Sequence, residues 1–168
     1  DLERTVLRQS WRRNKWLKQE LQSAGISLTP LLLVQVANGS GTVEKAVQDL
    51  VKFCAISPHV IGIHTSDTPD PSMMAAIAND NSKEVLVFKQ SAGTGFDAPR
   101  AFVLASTKPV NDTDFAMQFI GRAMRVDKAI RQHYAGKKQI PEAFNTAYIY
   151  LGNAESQQGF ELAVKSTA

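Results

Sequence analysis

Hydrophobic residues follow two patterns along this chain. Short uninterrupted apolar runs, as at residues 31–36, indicate strands that are buried on both faces, because neighbouring strand residues point to opposite sides of a sheet. Apolar residues that recur every three or four positions, as at residues 42–54, indicate amphipathic helices. The predicted strands are 31–36, 60–64, 84–89, 101–106 and 146–151, and the predicted helices are 2–24, 42–54, 72–78, 113–131 and 154–164.

The alternation of these segments predicts an α/β fold. Strands that are joined through helices pair in parallel, and right-handed crossovers then place helices on both faces of the sheet. We expect a three-layer α/β sandwich with a mostly parallel sheet. Neither a repeat nor a shift in composition divides the chain, so residues 1–168 are expected to form a single domain, with residues 1–25 as a leading helix.

Composition and charge narrow the possible functions only slightly. The chain has 168 residues, of which 43% are hydrophobic and 21% charged, as in folded globular proteins. Its formal net charge of +3 permits a nucleic-acid partner without arguing for one. The single cysteine excludes an internal disulfide framework and a cysteine-based zinc cluster.

The ends and the hydropathy of the chain lead to expectations about its context. No apolar run reaches the about 18 residues that suggest a membrane span, so no membrane partner is expected. The chain begins with a polar segment, without an initiator Met or a signal peptide. We therefore expect a fragment of a larger protein that is located in the cytoplasm.

Candidate chemistry falls on loops that follow the predicted strands, where parallel α/β sheets bind ligands. Residues 38–45 contain two glycines but lack the G-x-x-x-x-G-K-[ST] spacing of a phosphate-binding loop. This loop is either a flexible turn or a surface that contacts a ligand backbone. In the loop 88–100, glycines such as Gly95 allow close approach to a ligand, and Asp97 can accept a hydrogen bond from a sugar hydroxyl. The same composition is also typical of a simple turn.

A third candidate lies on the helix predicted at residues 113–131. Gln118, Arg122 and Arg125 are spaced i, i+4 and i+7, so they project from one helical face. Two guanidinium groups one turn apart form a fork-shaped receptor for phosphate oxygens. Gly121 within the helix indicates close packing or a close ligand. By itself this spacing favours a salt-bridged surface face equally well.

The leading helix carries a basic stripe of Arg4, Arg8, Arg12 and Lys15. A solvated helix face and a surface that contacts phosphates both have this pattern. The side chains of Trp11 and Trp16 can stack on nucleic-acid bases. The favoured alternative is that Trp11 packs on the sheet and that Trp16 is partly exposed or covered by another domain.

The order of the second and third candidate segments resembles a known family. The chain contains the pattern G-x-G-[FW]-D, then a strand, a polar loop and the pattern Q-x-x-G-R-x-x-R. This succession resembles motifs V and VI of superfamily 2 helicases. Residues 85–101 are similar to the helicase part of the Res subunit of type III restriction enzymes and to its DEAD/DEAH relatives. Residues 31–36 and the loop after them resemble motif IV, so that the resemblance covers residues 30–151.

The resemblance implies the second, C-terminal RecA-like domain of an ATP-dependent DNA helicase or translocase, with a fold like that of P-loop NTPases. In such proteins the first RecA-like domain holds most of the contacts to ATP and Mg²⁺. This chain has neither G-K-[ST] nor a D-E-x-H box, so it is expected to be inactive alone. Arg122 and Arg125 would be catalytic, with Arg125 as the arginine finger. Gln118, Gly95 and Asp97 would bind ATP.

The resemblance also implies contacts to the DNA backbone from Asn38, His64, Thr65 and Lys89. Lys89 stands where many relatives carry Thr, and His64 can also be a structural residue. Phe119 replaces an Arg that DEAD-box proteins often have, which weakens assignment to the RNA-unwinding branch. The implied partners are DNA, the N-terminal RecA-like domain of the same chain and a modification (methyltransferase) subunit, in a bacterial cytoplasm.

Two alternatives stay open at the level of the sequence. One is a catalytically silent RecA-like module that docks nucleic acid or protein, and the other is a domain of an RNA helicase. The three histidines lack the spacing of metal ligands, so no metal site is expected within the chain.

Overall fold

The computed structural model describes residues 1–92, 97–107, 124, 126–136, 139–153 and 155–165. The described helices are α1 (Leu2–Ser23), α2 (Thr42–Phe53), α3 (Pro71–Ala78) and α4 (Lys128–His133). The described strands are β1 (Leu31–Val36), β2 (Ile61–His64), β3 (Val85–Lys89), β4 (Ala101–Ser106), β5 (Thr146–Asn153) and β6 (Gln158–Lys165). None of the described helices has the length and apolar character that crossing a membrane requires.

The described strands form one six-stranded sheet in the order β2-β3-β1-β4-β5-β6. The pairs from β2 to β5 are parallel, and β6 alone runs antiparallel, against β5. Helices α1 and α2 cover one face of the sheet, whereas α3 covers the other. The prediction of an α/β three-layer sandwich with a mostly parallel sheet is thereby confirmed.

The central strand β1 shows why its apolar run is uninterrupted. Leu32 and Val34 point towards α1 and α2, while Leu31 and Leu33 point towards the face that α3 covers. All four side chains are fully buried. A strand between two helical layers has no face for water, so each of its positions favours a hydrophobic residue.

The helix predicted at residues 154–164 is wrong, because this part of the chain forms β6 as the antiparallel partner of β5. Gln157 has a positive φ of 55° in the turn before the strand. Phe160, Leu162 and Val164 then alternate with smaller or charged residues, which is the period of a strand with one apolar face. Eight cross-strand pairs with β5 outweigh the helix propensity of this short segment.

The helix predicted at residues 113–131 is also revised where it is described. Val126 and Asp127 are not helical, and Asp127 is the N-cap of the separate short helix α4. Its carboxylate accepts a hydrogen bond from the Ala129 N–H at 2.7 Å. An aspartate that binds an N–H two residues ahead favours the start of a helix over its interior. The first part of the predicted helix lies outside the described residues.

Candidate nucleic-acid interface

The loops that follow β1, β2 and β3 meet at the carboxyl edge of the sheet. These three strands are neighbours and parallel, so their last residues, Val36, His64 and Lys89, lie at the same edge. In open α/β sheets this edge is where ligands bind. The predicted contact residues Asn38, His64, Thr65 and Lys89 all lie here, which is what the sequence-based placement of the strands implies.

Direct hydrogen bonds join the three loops. The Asn38 side-chain oxygen Oδ1 accepts a hydrogen bond from the Ser91 N–H at 3.0 Å. The Ser91 hydroxyl in turn donates to the Asp67 carbonyl oxygen at 2.5 Å. Ser91 therefore connects the loop after β1 to the loop after β2, although neither loop is near it in sequence. We call Asn38, Asp67, Lys89 and Ser91 the carboxyl-edge cluster.

Lys89 is the cation of this cluster. Its ammonium group lies 3.3 Å from the Asp67 carboxylate, and its side chain is only 12% exposed whereas that of Asp67 is 59% exposed. The aliphatic part of Lys89 is therefore covered by protein, while its charge reaches a carboxylate at the surface. An ion pair with such an exposed partner is weakly held and can be exchanged for another anion.

His64 is buried at the end of β2, with 2% of its surface exposed. Its ring nitrogen Nδ1 is buried and has no hydrogen-bond partner among the described residues. A buried polar atom without a partner destabilises a protein by about 1–3 kcal/mol, so Nδ1 is suited to a water molecule or ligand atom that enters from the edge. The adjacent residue Thr65 is exposed, as is Asn38.

The start of α2 adds positive potential to the same edge. Gly41 occupies the N-cap position with a φ of 79°, and no side chain caps the helix there. Gly39 also has a positive φ, of 113°, so glycine is favoured at both positions. The N–H groups of an uncapped first turn and the helix dipole both favour an anion.

The candidate nucleotide-binding residues are only partly described. Asp97 is exposed at the start of the segment that leads into β4. Gly95, Gln118, Arg122 and Arg125 lie outside the described residues, so their assignments stay predictions. Within the described ranges no group of three or more His, Cys, Asp or Glu residues could hold a metal ion.

Reasoning from the sequence missed Ser91 and Asp67, which join the cluster. Both follow predicted strands, and this position was the only available signal, because their partners are 53 and 24 residues away from Ser91. It also missed the role of Arg100, which stands within the segment that resembles motif V. Arg100 is buried and bonded to backbone carbonyl groups, so it has a structural role.

Comparisons with known proteins give weak similarities only. No protein-family model and no curated protein matches this chain. One similar solved structure is the C-terminal part of the Fun30 ATPase domain, with 11% identity and a TM-score of 0.43 over 79% of this chain and 46% of that one. Another is the Pyrococcus furiosus Hef helicase domain, with 16% identity and a TM-score of 0.39 over 76% of this chain and 28% of that one. The chain spans less than half the length of either structure.

Proposed function

We propose that this chain is the second motor domain of an ATP-dependent DNA helicase or translocase, as in the Res subunits of type III restriction enzymes. The observation that carries the proposal is the carboxyl-edge cluster, in which the loops after β1, β2 and β3 are bonded together. These loops hold the residues for which the sequence resemblance implies contacts to the DNA backbone. The resemblance of residues 30–151 to motifs IV to VI supplies the ATPase part of the proposal.

The chemistry of the carboxyl edge suits a sugar-phosphate backbone. Asn38 and Thr65 present exposed polar side chains, and the uncapped start of α2 presents N–H groups to the same edge. Such groups bind phosphate oxygens without reading the base sequence. Because phosphate contacts release counterions, the affinity for DNA should fall steeply as the salt concentration rises.

Lys89 would change partners when DNA binds. In the free protein its ammonium group pairs with the exposed carboxylate of Asp67. A DNA phosphate that reaches the carboxyl edge would compete with this carboxylate for the same ammonium group. Asp67 therefore opposes DNA binding both by occupying Lys89 and by repelling phosphate.

ATP hydrolysis would require an opposing N-terminal RecA-like domain that holds ATP and Mg²⁺. Mg²⁺ would neutralise charge on the phosphate oxygens. Arg122 and Arg125 would reach the γ-phosphate across the interface, with Arg125 stabilising the charge of the transferring phosphoryl group. Gln118, Gly95 and Asp97 would line the same cleft. The proposal includes a bacterial cytoplasmic protein and, for a restriction enzyme, a methyltransferase subunit as partner.

Opposite effects of two substitutions test the DNA contact. Lys89→Ala should weaken the binding of a fluorescent single-stranded DNA several-fold at low salt, because one phosphate contact is lost. Asp67→Asn should strengthen it by a similar factor, because Lys89 is released. Glu155→Gln is the matched control, since it removes an exposed carboxylate at the β5–β6 turn, at the other end of the strand order. Fluorescence anisotropy measures all three affinities. Equal affinities of Lys89→Ala and the unchanged chain would show that Lys89 does not contact DNA.

The ATPase role is tested in a protein that contains this chain together with a P-loop domain. Arg125→Ala should lower the rate of DNA-stimulated ATP hydrolysis by about 10³- to 10⁵-fold and leave nucleotide binding nearly unchanged. Arg125→Lys should rescue poorly, because an ammonium group cannot reproduce the planar guanidinium fork. Near-normal turnover in Arg125→Ala would reduce motif VI to a salt-bridged face and favour a silent interaction module.

A further inference from the structure

A cavity of about 460 Å³ opens between α1 and the edge strand β6, apart from the carboxyl-edge cluster. Its walls include Gln9, Arg12 and Trp16 of α1 together with Gly159 and Glu161 of β6. This volume falls within the range of about 300–1,000 Å³ that is usual for sites of small organic ligands. Neither the sequence resemblance nor the proposed motor function uses these residues.

Trp16 offers the cavity an aromatic surface whose orientation is already set. The Arg13 guanidinium lies 4.8 Å from its ring centroid, and the Tyr148 ring meets it edge-on at 6.5 Å. Despite these contacts Trp16 is 39% exposed. A fixed and partly open indole can stack on a flat ligand ring with little loss of conformational entropy.

Gln9 places an unsatisfied acceptor in the cavity wall. Its oxygen Oε1 is buried and has no hydrogen-bond partner within the described part of the chain. A Cβ atom on Gly159 would lie 2.5 Å from this oxygen, so glycine at that position leaves the space that the Gln9 side-chain amide occupies. A ligand N–H group would satisfy the oxygen and remove the penalty of leaving it unpaired.

Glu161 adds a second acceptor. Its oxygen Oε2 receives hydrogen bonds from Arg13, at 3.0 Å, and from the Tyr150 hydroxyl. Through the same oxygen, the carboxylate forms an ion pair with the Arg13 guanidinium beside the cavity. Its other oxygen accepts no hydrogen bond from a described residue. Gln9 and Glu161 together favour a ligand ring whose edge carries N–H donors.

One cation in the cavity wall has no ion pair among the described residues and favours a ligand that is also an anion. Arg4, Arg13 and Lys18 of α1 are engaged in ion pairs. By contrast, the exposed residues Arg8, Arg12 and Lys15 form no ion pair with any acid in the described ranges, and they are spaced i, i+4 and i+7 on one helical face. Arg12 also lines the cavity.

We propose that this cavity binds a nucleotide base that carries N–H donors, with the attached phosphate on Arg12. The base would stack on Trp16 and donate to Gln9 and Glu161. Guanine fits best, because its ring N–H and amino group form an adjacent pair of donors, one for the free oxygen of Glu161 and one for the Gln9 oxygen. The ligand is either a free nucleotide or a single-stranded nucleic acid, which share this chemistry. The proposal is independent of ATP hydrolysis and of the carboxyl-edge cluster.

Trp16 itself can report occupation of the cavity. The chain has two tryptophans, so Trp11→Phe leaves Trp16 as the only one. In this background, the fluorescence of Trp16 is followed while GMP or a short guanine-containing DNA oligonucleotide is added. Inorganic phosphate and an abasic oligonucleotide serve as comparison probes. We expect quenching by at least one guanine-bearing probe. Quenching by GMP identifies a free nucleotide as sufficient, and quenching by the oligonucleotide alone identifies a single strand.

Substitutions then separate the contributions to affinity. Trp16→Ala should weaken binding in an anisotropy assay by about tenfold, which is typical for the loss of one stacked base. Gly159→Ala should also weaken it, because its methyl group displaces the flexible Gln9 amide into the cavity. Arg12→Ala should reduce both affinity and salt dependence, whereas Arg131→Ala on α4 is the charge-matched control. Lys89→Ala should leave the quenching of Trp16 by GMP unchanged, which keeps this test apart from that of the carboxyl-edge cluster.

Two results would overturn the proposal. The first is equal quenching by the abasic oligonucleotide, which would leave only a general attraction of α1 for polyanions. The second is binding that changes less than twofold in both Trp16→Ala and Gly159→Ala. If Trp16→Ala does not fold, as judged by circular dichroism, Gly159→Ala and the fluorescence titration decide the question without it.

Discussion

The amino and carboxyl edges of the sheet each hold a cation, but the contacts of the two cations differ in number and in exposure to water. At the amino edge Arg100 is 3% exposed and donates to four backbone carbonyl oxygens, those of Thr29, Ala78, Asp80 and Lys83, at 2.7–3.2 Å. At the carboxyl edge the ammonium group of Lys89 has one exposed carboxylate, that of Asp67, as its ion-pair partner. One guanidinium thus connects several segments through four hydrogen bonds, whereas one ammonium group is held by a partner that water also reaches.

This difference separates a structural edge from an edge that can exchange partners. Burial lowers the pKa of Arg100, which nearby carboxylates such as Asp80 oppose. Its carbonyl partners cannot leave without depriving a buried charge of hydrogen bonds, so these contacts are costly to break. The pair of Lys89 with Asp67 lies near water and can break at little cost. An anion can therefore compete for the cation at the carboxyl edge more easily than for that at the amino edge.

The largest effect is expected from Arg100→Ala. This substitution removes four hydrogen bonds at once and leaves the buried Ala78 carbonyl group without its Arg100 donor, so we expect the free energy of unfolding to fall by about 3–5 kcal/mol. Urea denaturation followed by circular dichroism measures the change. Arg100→Lys is the matched control and should recover only part of it, because an ammonium group lacks the five donors of the guanidinium. A loss below about 1 kcal/mol would contradict a structural role for this edge.

A polar network under α1 provides an intermediate case. The Tyr150 hydroxyl donates to the Glu161 carboxylate and accepts from Arg13 at 3.2 Å. Burial, followed by the hydrogen bond to Glu161, raises the pKa of Tyr150 from 10 to about 12. The folded state therefore holds this proton more tightly than the unfolded state does. The resulting stabilisation is complete below pH 10 and is lost as the pH rises from about 10 to about 12.

Tyr150→Phe isolates this contribution. The unchanged chain should lose about 1–2 kcal/mol of stability between pH 10 and pH 12 through this group, and the variant should lack that part of the decline. Chemical denaturation at a series of pH values gives both curves. Parallel curves would mean that the Tyr150 hydroxyl titrates alike in the folded and unfolded states.

The smallest effect is expected at the carboxyl edge itself. Asp67→Asn breaks the ion pair with Lys89. Because the Asp67 carboxylate is largely exposed, the free energy of unfolding should change by no more than about 0.5 kcal/mol. The same urea titration used for Arg100→Ala provides the measurement. A loss as large as that of Arg100→Ala would remove the distinction between the two edges.

The candidate site was predictable in position but not in its contacts. Asn38 and Thr65 follow apolar strands and Lys89 ends one, and this order alone indicates that they lie at one edge of a parallel sheet. The link from Asn38 to Ser91 spans 53 residues and depends on β3 lying beside β1. No local pattern encodes such a pairing. The burial of His64 likewise depends on what packs around the end of β2.

The sequence by itself determined the elements whose hydrophobic period is strong. The uninterrupted run of β1 and the apolar stripe of α2 each required burial of a particular face, and together they imposed the layered α/β fold. These patterns are local, because the period of the apolar positions follows directly from backbone geometry.

The tertiary structure alone decided the secondary structure of segments with weak hydrophobic patterns and the contacts of isolated polar residues. Residues 158–165 became a strand because β5 offered an open edge for pairing, which outweighed a modest local preference for helix. Arg100 became a structural residue, and Trp16 with Gln9 came to face a cavity, through partners that lie far away in the sequence. Burial and hydrogen bonding are properties of the assembled chain, so the physical roles of these side chains were set only when the strands and helices had packed.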